Sequence, residues 1–164
     1  KFNLSITIIK EKKKILDTGG GILNAIKYFS NKPFITINPD TIWRAEYIKE
    51  LKIMEKDLIS KQKKCSILIV DKKKSFDKSF KGDFNLKSKL INRNKENELR
   101  FIFTGLQIIK PEVFNDFKKG SFSINKIWNQ LIKKNELYGL ESNIDFFHIS
   151  TLEIYKKLVK KKLI

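Results

Sequence analysis

Three consecutive glycines, Gly19–Gly21, are the first feature of the sequence that could serve a ligand. They follow Asp17-Thr18 and open a segment with helical periodicity. Glycines let a backbone come close to a flat or anionic group, and the amino terminus of a helix offers N–H donors that no carbonyl accepts. The pattern therefore predicts either a ligand-binding loop or a plain tight turn before a helix.

Asp40 is the second feature, because it follows an apolar run, Phe34–Ile37, at the end of a predicted strand. In open α/β sheets, ligands bind beyond the carboxyl ends of the strands, so a carboxylate there can meet a hard cation or a phosphate-bound metal. The same position also suits a turn or a helix cap. Asp40 is thus a candidate metal ligand and catalytic residue, with a structural role as the alternative.

The elements that must position these residues are short apolar runs that alternate with helical stripes. We predict strands at Leu4–Ile9, Pro33–Asn38, Cys65–Val70, Phe84–Leu86, Leu90–Ile91, Arg100–Ile109 and Ile144–Ile149. Helical spacing marks further segments that begin near Ile22, Ile48, Ile124 and Leu152. This alternation predicts an α/β layer fold with a mainly parallel sheet and a hairpin-rich section over residues 84–109.

The formal net charge of +17 raises the question of a nucleic-acid or membrane partner. Of the 35 basic residues only Arg44, Arg93 and Arg100 are arginine, and the lysines are spread over the whole sequence. Proteins that recognise phosphates and nucleic-acid bases favour arginine, whose guanidinium can donate two parallel hydrogen bonds. We therefore interpret the lysines as a solvated surface and predict no nucleic-acid partner. A functional basic patch is the alternative. No apolar run reaches the roughly 20 residues that span a bilayer, so no membrane partner is predicted.

The single cysteine, Cys65, excludes an internal disulfide and favours a reducing, cytoplasmic location. It lies in the apolar run Cys65–Val70, which predicts a buried thiol. The sequence begins with Lys1 rather than Met, close to the first predicted strand. We expect a single domain over residues 1–164 that lacks an amino-terminal portion.

Several short motifs, taken together, resemble one family of enzymes. They read, in order, Ile15-Leu16-Asp17-Thr18-Gly19-Gly20-Gly21-Ile22, Asn38-Pro39-Asp40-Thr41-Ile42-Trp43, Gly82-Asp83-Phe84-Asn85-Leu86, Phe103-Thr104-Gly105-Leu106-Gln107, Pro111-Glu112-Val113-Phe114 and Ser150-Thr151-Leu152-Glu153. The series resembles the sugar-1-phosphate nucleotidyltransferases, in particular the N-acetylmuramate-1-phosphate uridylyltransferases and mannose-1-phosphate guanylyltransferases. The resemblance covers nearly the whole sequence and corresponds to the carboxyl-terminal two thirds of such an enzyme.

The resemblance implies a three-layer, Rossmann-like fold of the GT-A type with a mixed sheet. It implies transfer of a nucleoside monophosphate from a nucleoside triphosphate to a sugar 1-phosphate, giving pyrophosphate and a nucleotide sugar for the cell envelope. By resemblance, Gly19 and Gly20 would approach the base, and Gly82 and Gly105 would line the sugar-phosphate side. Asp40 would bind a Mg²⁺ cofactor that bridges the phosphates, and the protein would mainly position and neutralise the reacting groups.

Two departures limit what the resemblance implies. The family begins with a strand and a Gly-rich loop that grips the triphosphate, and this sequence has no such segment. Near its end the family reads Trp-x-Asp-(Val/Ile)-Gly-Thr, with the Asp as a second metal ligand, whereas this sequence reads Phe146-Phe147-His148-Ile149-Ser150-Thr151. Mg²⁺ prefers oxygen ligands, so His148 is either a ligand for a softer divalent ion or an ordinary strand residue.

We therefore expect no nucleotidyl transfer by this chain alone. One hypothesis is a split enzyme, in which an amino-terminal fragment supplied in trans completes the site. The alternative is a non-catalytic relic or a partner subunit that keeps the fold. The identities of the base and of the sugar stay open, because pocket selectivity depends on hydrogen bonds that a sequence does not place.

Overall fold

The computed structural model describes residues 4–11, 14–94 and 98–164, which form a six-stranded open sheet with helices packed against it. The strands are β1 (Phe34–Ile37), β2 (Cys65–Asp71), β3 (Asn85–Lys87), β4 (Leu90–Asn92), β5 (Phe101–Ile109) and β6 (Leu137–Ser142). The α-helices are α1 (Asp17–Ala25), α2 (Tyr47–Ser60), α3 (Asn125–Lys133) and α4 (Leu152–Lys160). Short 3-10 helices span Ile26–Phe29, Lys72–Lys74 and Pro111–Phe114. This architecture confirms the predicted α/β class.

The strand order is β1-β5-β2-β6-β4-β3, and the sheet is mixed. Strand β2 runs parallel to β6, whereas β5 lies between β1 and β2 and is antiparallel to both. The β3–β4 and β4–β6 pairs are also antiparallel. The expectation of a mainly parallel sheet is therefore wrong, because an apolar run does not record the direction in which its strand is paired. The mixed sheet that the family resemblance implies is confirmed.

Strand β2 is the centre of the core, since all of its residues are buried. Its side chains alternate between the two faces of the sheet, as the strand period requires. Ile67 and Ile69 join the larger apolar cluster with α3, whereas Leu68 joins a second cluster formed by α2. Cys65 is fully buried in the first cluster, as predicted, and burial raises the pKa of its thiol. Helices on both faces give the layered arrangement.

Three sequence expectations about strands need correction. The run Leu4–Ile9 is not a strand, and its apolar side chains are exposed, with Ile6 82% and Ile8 80% accessible. The run Ile144–Ile149 forms isolated bridges rather than a strand. Strand β6 was not predicted, because Gly139 and Glu141 interrupt its apolar pattern. The alternation of apolar and polar residues along a segment does not determine whether that segment pairs with another strand.

The boundaries of the helices follow local chemistry. The Oγ1 of Thr151 accepts a hydrogen bond of 3.2 Å from the backbone N–H of Ile154, which caps α4. The Oγ of Ser123 accepts one of 3.3 Å from the N–H of Asn125 at the start of α3. None of the helices in the described residues has the length and apolar character needed to cross a membrane.

Candidate active site

A cleft of about 470 Å³ opens beside the carboxyl end of β1 and across the middle of β5. Its walls also include the starts of α1 and α3. The cleft is lined by Asp17, Thr18, Ile22, Thr36, Ile37, Asn38, Phe80, Asp83, Arg93, Ile102, Phe103, Thr104, Gly105, Gln107, Ser123, Ile124, Asn125, Trp128, Phe146 and His148. The lining combines aromatic rings with polar and charged side chains, as a site for a polar small ligand requires.

Gly105 lies in this wall because β5 is irregular at that point. The register between β2 and β5 shifts between Ile67 and Ile69, and Gly105 takes a φ of +95° that disfavours residues with a Cβ. Its carbonyl oxygen accepts a 2.9 Å hydrogen bond from the N–H of Asn38, the residue that follows β1. A Cβ on Gly105 would lie 2.7 Å from the Cβ of Asn38. The irregularity thus joins β5 to the carboxyl end of β1 inside the cleft.

The other glycines that the sequence marked as ligand contacts lie against protein atoms. A Cβ on Gly19 would lie 2.5 Å from the ring of Phe122, and one on Gly20 would lie 2.1 Å from the carbonyl oxygen of Gly120. A Cβ on Gly82 would lie 1.8 Å from the carbonyl oxygen of Leu99. Close packing therefore accounts for these glycines in this structure, and their contacts with a nucleotide or sugar stay predictions.

The amino termini of α1 and α3 meet at one end of the cleft. Thr18, in the first turn of α1, accepts a 3.0 Å hydrogen bond at its Oγ1 from the N–H of Ile124. Asp17 begins α1 with a φ of +60°, and both Asp17 and Thr18 line the cleft. Helix amino termini favour anions, because their N–H groups point outward and the helix dipole is positive there.

Asp40 and His148 lie together, although 107 residues separate them in the sequence. The Nε2 of His148 is 3.1 Å from the Oδ2 of Asp40. The backbone fixes this contact, because Thr41 and His148 form an antiparallel bridge and the N–H of Ile149 donates to the carbonyl of Asp40 at 2.8 Å. The structure therefore brings the two predicted metal ligands into contact, and their role as ligands stays a prediction.

His148 lies between Asp40 and the cleft. Its side chain is 19% exposed and lines the cleft, whereas Asp40 is 46% exposed and lies outside the lining. The rings of Phe80 and Phe146 stand 5.3 and 5.9 Å from the imidazole, centroid to centroid. Within the described part of the chain, the Nδ1 of His148 is buried without a hydrogen-bond partner.

Asp77 is a neighbouring carboxylate that already has partners. Its Oδ1 accepts a 2.7 Å hydrogen bond from the hydroxyl of Ser79, and its Oδ2 accepts one of 2.8 Å from the hydroxyl of Ser150. These bonds, those from Ser79 first, hold the pKa of Asp77 below its ordinary value, and His148 adds to the effect. Asp77 therefore orders the segment that follows His148 rather than presenting free oxygens.

Arg93 and Asp83 are cleft residues that the sequence analysis did not select. Arg93 stacks over the ring of Phe84 at 4.5 Å and donates from Nη1 to the Oδ1 of Asn129 at 2.6 Å. The Oδ2 of Asp83 accepts a 3.0 Å hydrogen bond from the N–H of Phe103. Burial raises the pKa of Asp83 and lowers that of Arg93. The scarcity of arginine, three in the chain, was the available signal for Arg93.

The donor set at Asp40 and His148 is one carboxylate and one imidazole. Among the described residues, no group of three or more His, Cys, Asp or Glu side chains could hold a metal ion. An exposed carboxylate suits Mg²⁺, which binds through one or two carboxylates together with phosphates. The imidazole nitrogen does not fit Mg²⁺, which prefers oxygen. The pair as a whole therefore does not match a magnesium site.

Comparisons with known proteins agree on one group of enzymes. No family model matches the chain. The chain is 24% identical over 146 residues to N-acetylmuramate alpha-1-phosphate uridylyltransferase from Caulobacter vibrioides, a match that covers 88% of this chain. The chain spans about 60% of the length of that relative.

Solved structures show that the fold is shared. HddC from Yersinia pseudotuberculosis superposes with a TM-score of 0.65 and 23% identity, covering 92% of this chain and 64% of HddC. An apo UDP-glucose pyrophosphorylase superposes with a TM-score of 0.66 and 17% identity, covering 93% of this chain and 63% of that one. The sequence match and the common fold together confirm that this chain resembles the sugar-1-phosphate nucleotidyltransferases.

Proposed function

We propose that the chain is the larger part of a sugar-1-phosphate nucleotidyltransferase. The supporting observation is the contact between Asp40 and His148, 3.1 Å apart beside a cleft, at the positions where the family resemblance places two metal-binding acids. In the proposed reaction an oxygen of the sugar phosphate attacks the α-phosphorus of a nucleoside triphosphate. The bond from that phosphorus to the bridging oxygen breaks, and pyrophosphate leaves with the electron pair.

The cleft contains the groups that this chemistry needs from the protein. Phosphoryl transfer depends mainly on positioning and on neutralising negative charge. The amino termini of α1 and α3 lie at one end of the lining, where the positive ends of the two helix dipoles favour a phosphate. Arg93 adds a guanidinium, and the rings of Phe103 and Trp128 provide flat apolar surface for a base or a sugar. These groups bind and orient the two substrates.

A divalent cation, Mg²⁺, is the cofactor that the family resemblance implies. When bound, such an ion neutralises charge on the phosphates. Asp40 presents an exposed carboxylate for it, whereas the nitrogen of His148 does not suit Mg²⁺.

An additional polypeptide segment is the proposed partner. Strand β1 forms one edge of the sheet, and its Ile35 and Ile37 are 43% and 52% exposed. An unpaired edge with exposed apolar side chains favours the addition of another strand. We propose that the segment carrying the phosphate-gripping loop, in trans or in a longer polypeptide, docks at this edge. The chain spans about 60% of its curated relative, which leaves enough length for such a segment.

The alternative function is that of a non-catalytic relic or partner subunit. The observation in its favour is the histidine at the position of the second acid, since His148 removes one negative charge from the proposed metal site. In that case the fold and the cleft would persist without turnover. The two proposals differ in whether completing the chain restores transfer.

Pyrophosphate release from a panel of nucleoside triphosphates and sugar 1-phosphates tests the proposal. The chain would be assayed alone and with the part of the Caulobacter vibrioides uridylyltransferase that lies outside the aligned region. We expect no turnover by the chain alone and measurable turnover in the mixture. Turnover by the chain alone would contradict the need for a partner. Absence of both turnover and nucleotide binding in the mixture, including the His148→Asp variant, would favour the relic.

A further inference from the structure

We propose that Asp40 and His148 form a two-ligand site that selects a borderline divalent cation, such as Mn²⁺, Co²⁺ or Zn²⁺, over Mg²⁺. The position of this site rests on the proposed function. The inference itself concerns which ion binds there, and it does not depend on turnover. It starts from the mismatch between the imidazole of His148 and the oxygen preference of Mg²⁺.

The chemistry of the two donors decides the class of ion. Imidazole nitrogen binds Zn²⁺, Co²⁺ and related ions well, and affinity for nitrogen and oxygen sites rises along the first-row series from Mn²⁺ to Cu²⁺. A carboxylate accepts all of these ions. A site with one nitrogen and one oxygen therefore favours a transition-metal ion, whereas a pair of carboxylates would be satisfied by Mg²⁺.

The separation of the donors fits a shared cation. The Nε2 of His148 and the Oδ2 of Asp40 are 3.1 Å apart. With metal–ligand distances of about 2.0–2.1 Å, one ion can contact both atoms at an angle of about 100°, between octahedral and tetrahedral values. Coordination through Nε2 requires the imidazole to carry its proton on Nδ1.

The surroundings hold the pair in place and leave coordination positions open. The bridge between Thr41 and His148 fixes the two backbones, and the rings of Phe80 and Phe146 restrict the imidazole. Asp77, the nearby carboxylate, is held by Ser79 and Ser150. Because the described residues supply two ligands, the remaining positions are available to water or to the oxygens of a bound phosphate.

The imidazole of His148 can be monitored directly, because it is the only histidine in the chain. Zn²⁺ or Mg²⁺ would be added to the protein while the imidazole proton and nitrogen signals are recorded by NMR. Mn²⁺ affinity would be measured in parallel by electron paramagnetic resonance, with Mg²⁺ as competitor. We expect Zn²⁺ to shift the imidazole signals at the concentration at which Mg²⁺ leaves them unchanged. We also expect Mn²⁺ to bind at least about tenfold more tightly than Mg²⁺.

Three variants separate this site from adventitious binding. His148→Asp should bring the Mn²⁺ and Mg²⁺ affinities within about threefold of each other, and Asp40→Asn should weaken the binding of both ions by about tenfold or more. Asp145→Asn is the matched control, because Asp145 is exposed three residues before His148, and it should bind like the unchanged chain. Circular dichroism establishes that each variant is folded.

The outcomes are distinct from those of the activity assay. Equal binding of Mn²⁺ and Mg²⁺ by the unchanged chain would overturn the inference, as would Zn²⁺ binding that leaves the His148 signals unshifted. Selective binding that depends on both residues supports the site even if no transfer is ever restored. Transfer that proceeds with Mg²⁺ in the completed enzyme, while Mn²⁺ binds no more tightly than Mg²⁺, would support the proposed function and contradict this inference.

Discussion

Gly20 and Gly105 lie in two regions that have similar glycine motifs in the sequence but different surroundings in the structure. Each glycine belongs to a motif of the family resemblance and each was expected to contact a ligand. Gly20 lies inside α1 and faces the backbone of the segment at Gly120, whereas Gly105 lies in an irregular part of β5 and lines the cleft. The first region is closed by protein atoms, and the second is open to a small molecule.

The comparison of Gly20 with Gly105 shows two physical reasons why a position can require glycine. At Gly20 the requirement is distance, since the N–H of Gly20 donates to the carbonyl of Phe122 at 3.0 Å and a Cβ would prevent this approach. At Gly105 the requirement is conformation, since a φ of +95° is costly for other residues. A motif alone does not separate a glycine that packs a helix from one that shapes a binding wall.

Gly20→Ala is the change with the largest expected effect. The new Cβ would lie 2.1 Å from the carbonyl oxygen of Gly120, so α1 must move away from that segment. We expect a loss of about 3 kcal/mol or more in the free energy of unfolding, measured by urea denaturation.

Gly21→Ala is the matched control for this prediction. Among the described residues, a Cβ there meets only the Oε1 of Glu11, at 3.2 Å, and alanine is the better helix former, so a gain of up to about 1 kcal/mol is expected. Equal losses in the two variants would show that the contact at Gly20 does not decide stability.

Gly105→Ala should have a smaller effect on stability and a direct effect on the cleft. The substitution strains the backbone and brings a Cβ to 2.7 Å from the Cβ of Asn38, so we expect a loss of about 2 kcal/mol by the same denaturation measurement. Asn38→Gly in addition removes the contact and should recover about half of the loss. Full recovery would contradict a cost from the positive φ, and no recovery would contradict the contact with Asn38.

Much of the fold could be predicted from the sequence, and each strand that was missed has a physical reason. The runs Pro33–Asn38 and Cys65–Val70 contain β1 and most of β2, because β-branched and aromatic residues favour strands and the fully buried β2 needs apolar residues over its length. Strand β6 was missed, since Gly139 is dictated by packing: a Cβ there would lie 2.4 Å from the Cδ1 of Ile91. Such a contact between distant residues leaves no local pattern.

The residues of the candidate site also divide into those that the sequence indicated and those that it did not. Spacing along the sequence does not tell how far apart two residues lie in the fold. Only the family resemblance, which places metal ligands at both positions, suggested that Asp40 and His148 are close. Arg93 and Asp83 reach the cleft from the hairpin region through tertiary packing, and neither has a neighbouring pattern that indicates chemistry. Sequence motifs thus marked two residues that the backbone brings together, whose roles stay predictions, and they missed the residues that side-chain packing brings into the cleft.

Arg93→Gln is the change with the smallest expected effect on stability and the one that tests where anions bind. It removes the guanidinium from the cleft, while Lys119→Gln removes one charge beside Gly120, in the closed region. We expect Arg93→Gln to weaken nucleoside triphosphate binding by about tenfold, since a charge-assisted hydrogen bond contributes about 1.5 kcal/mol or more. Lys119→Gln should change it by less than about twofold, as an exposed charge is screened by salt. Calorimetric titration of both variants measures this difference, and equal weakening would mean that net charge, rather than the open cleft around Gly105, attracts the nucleotide.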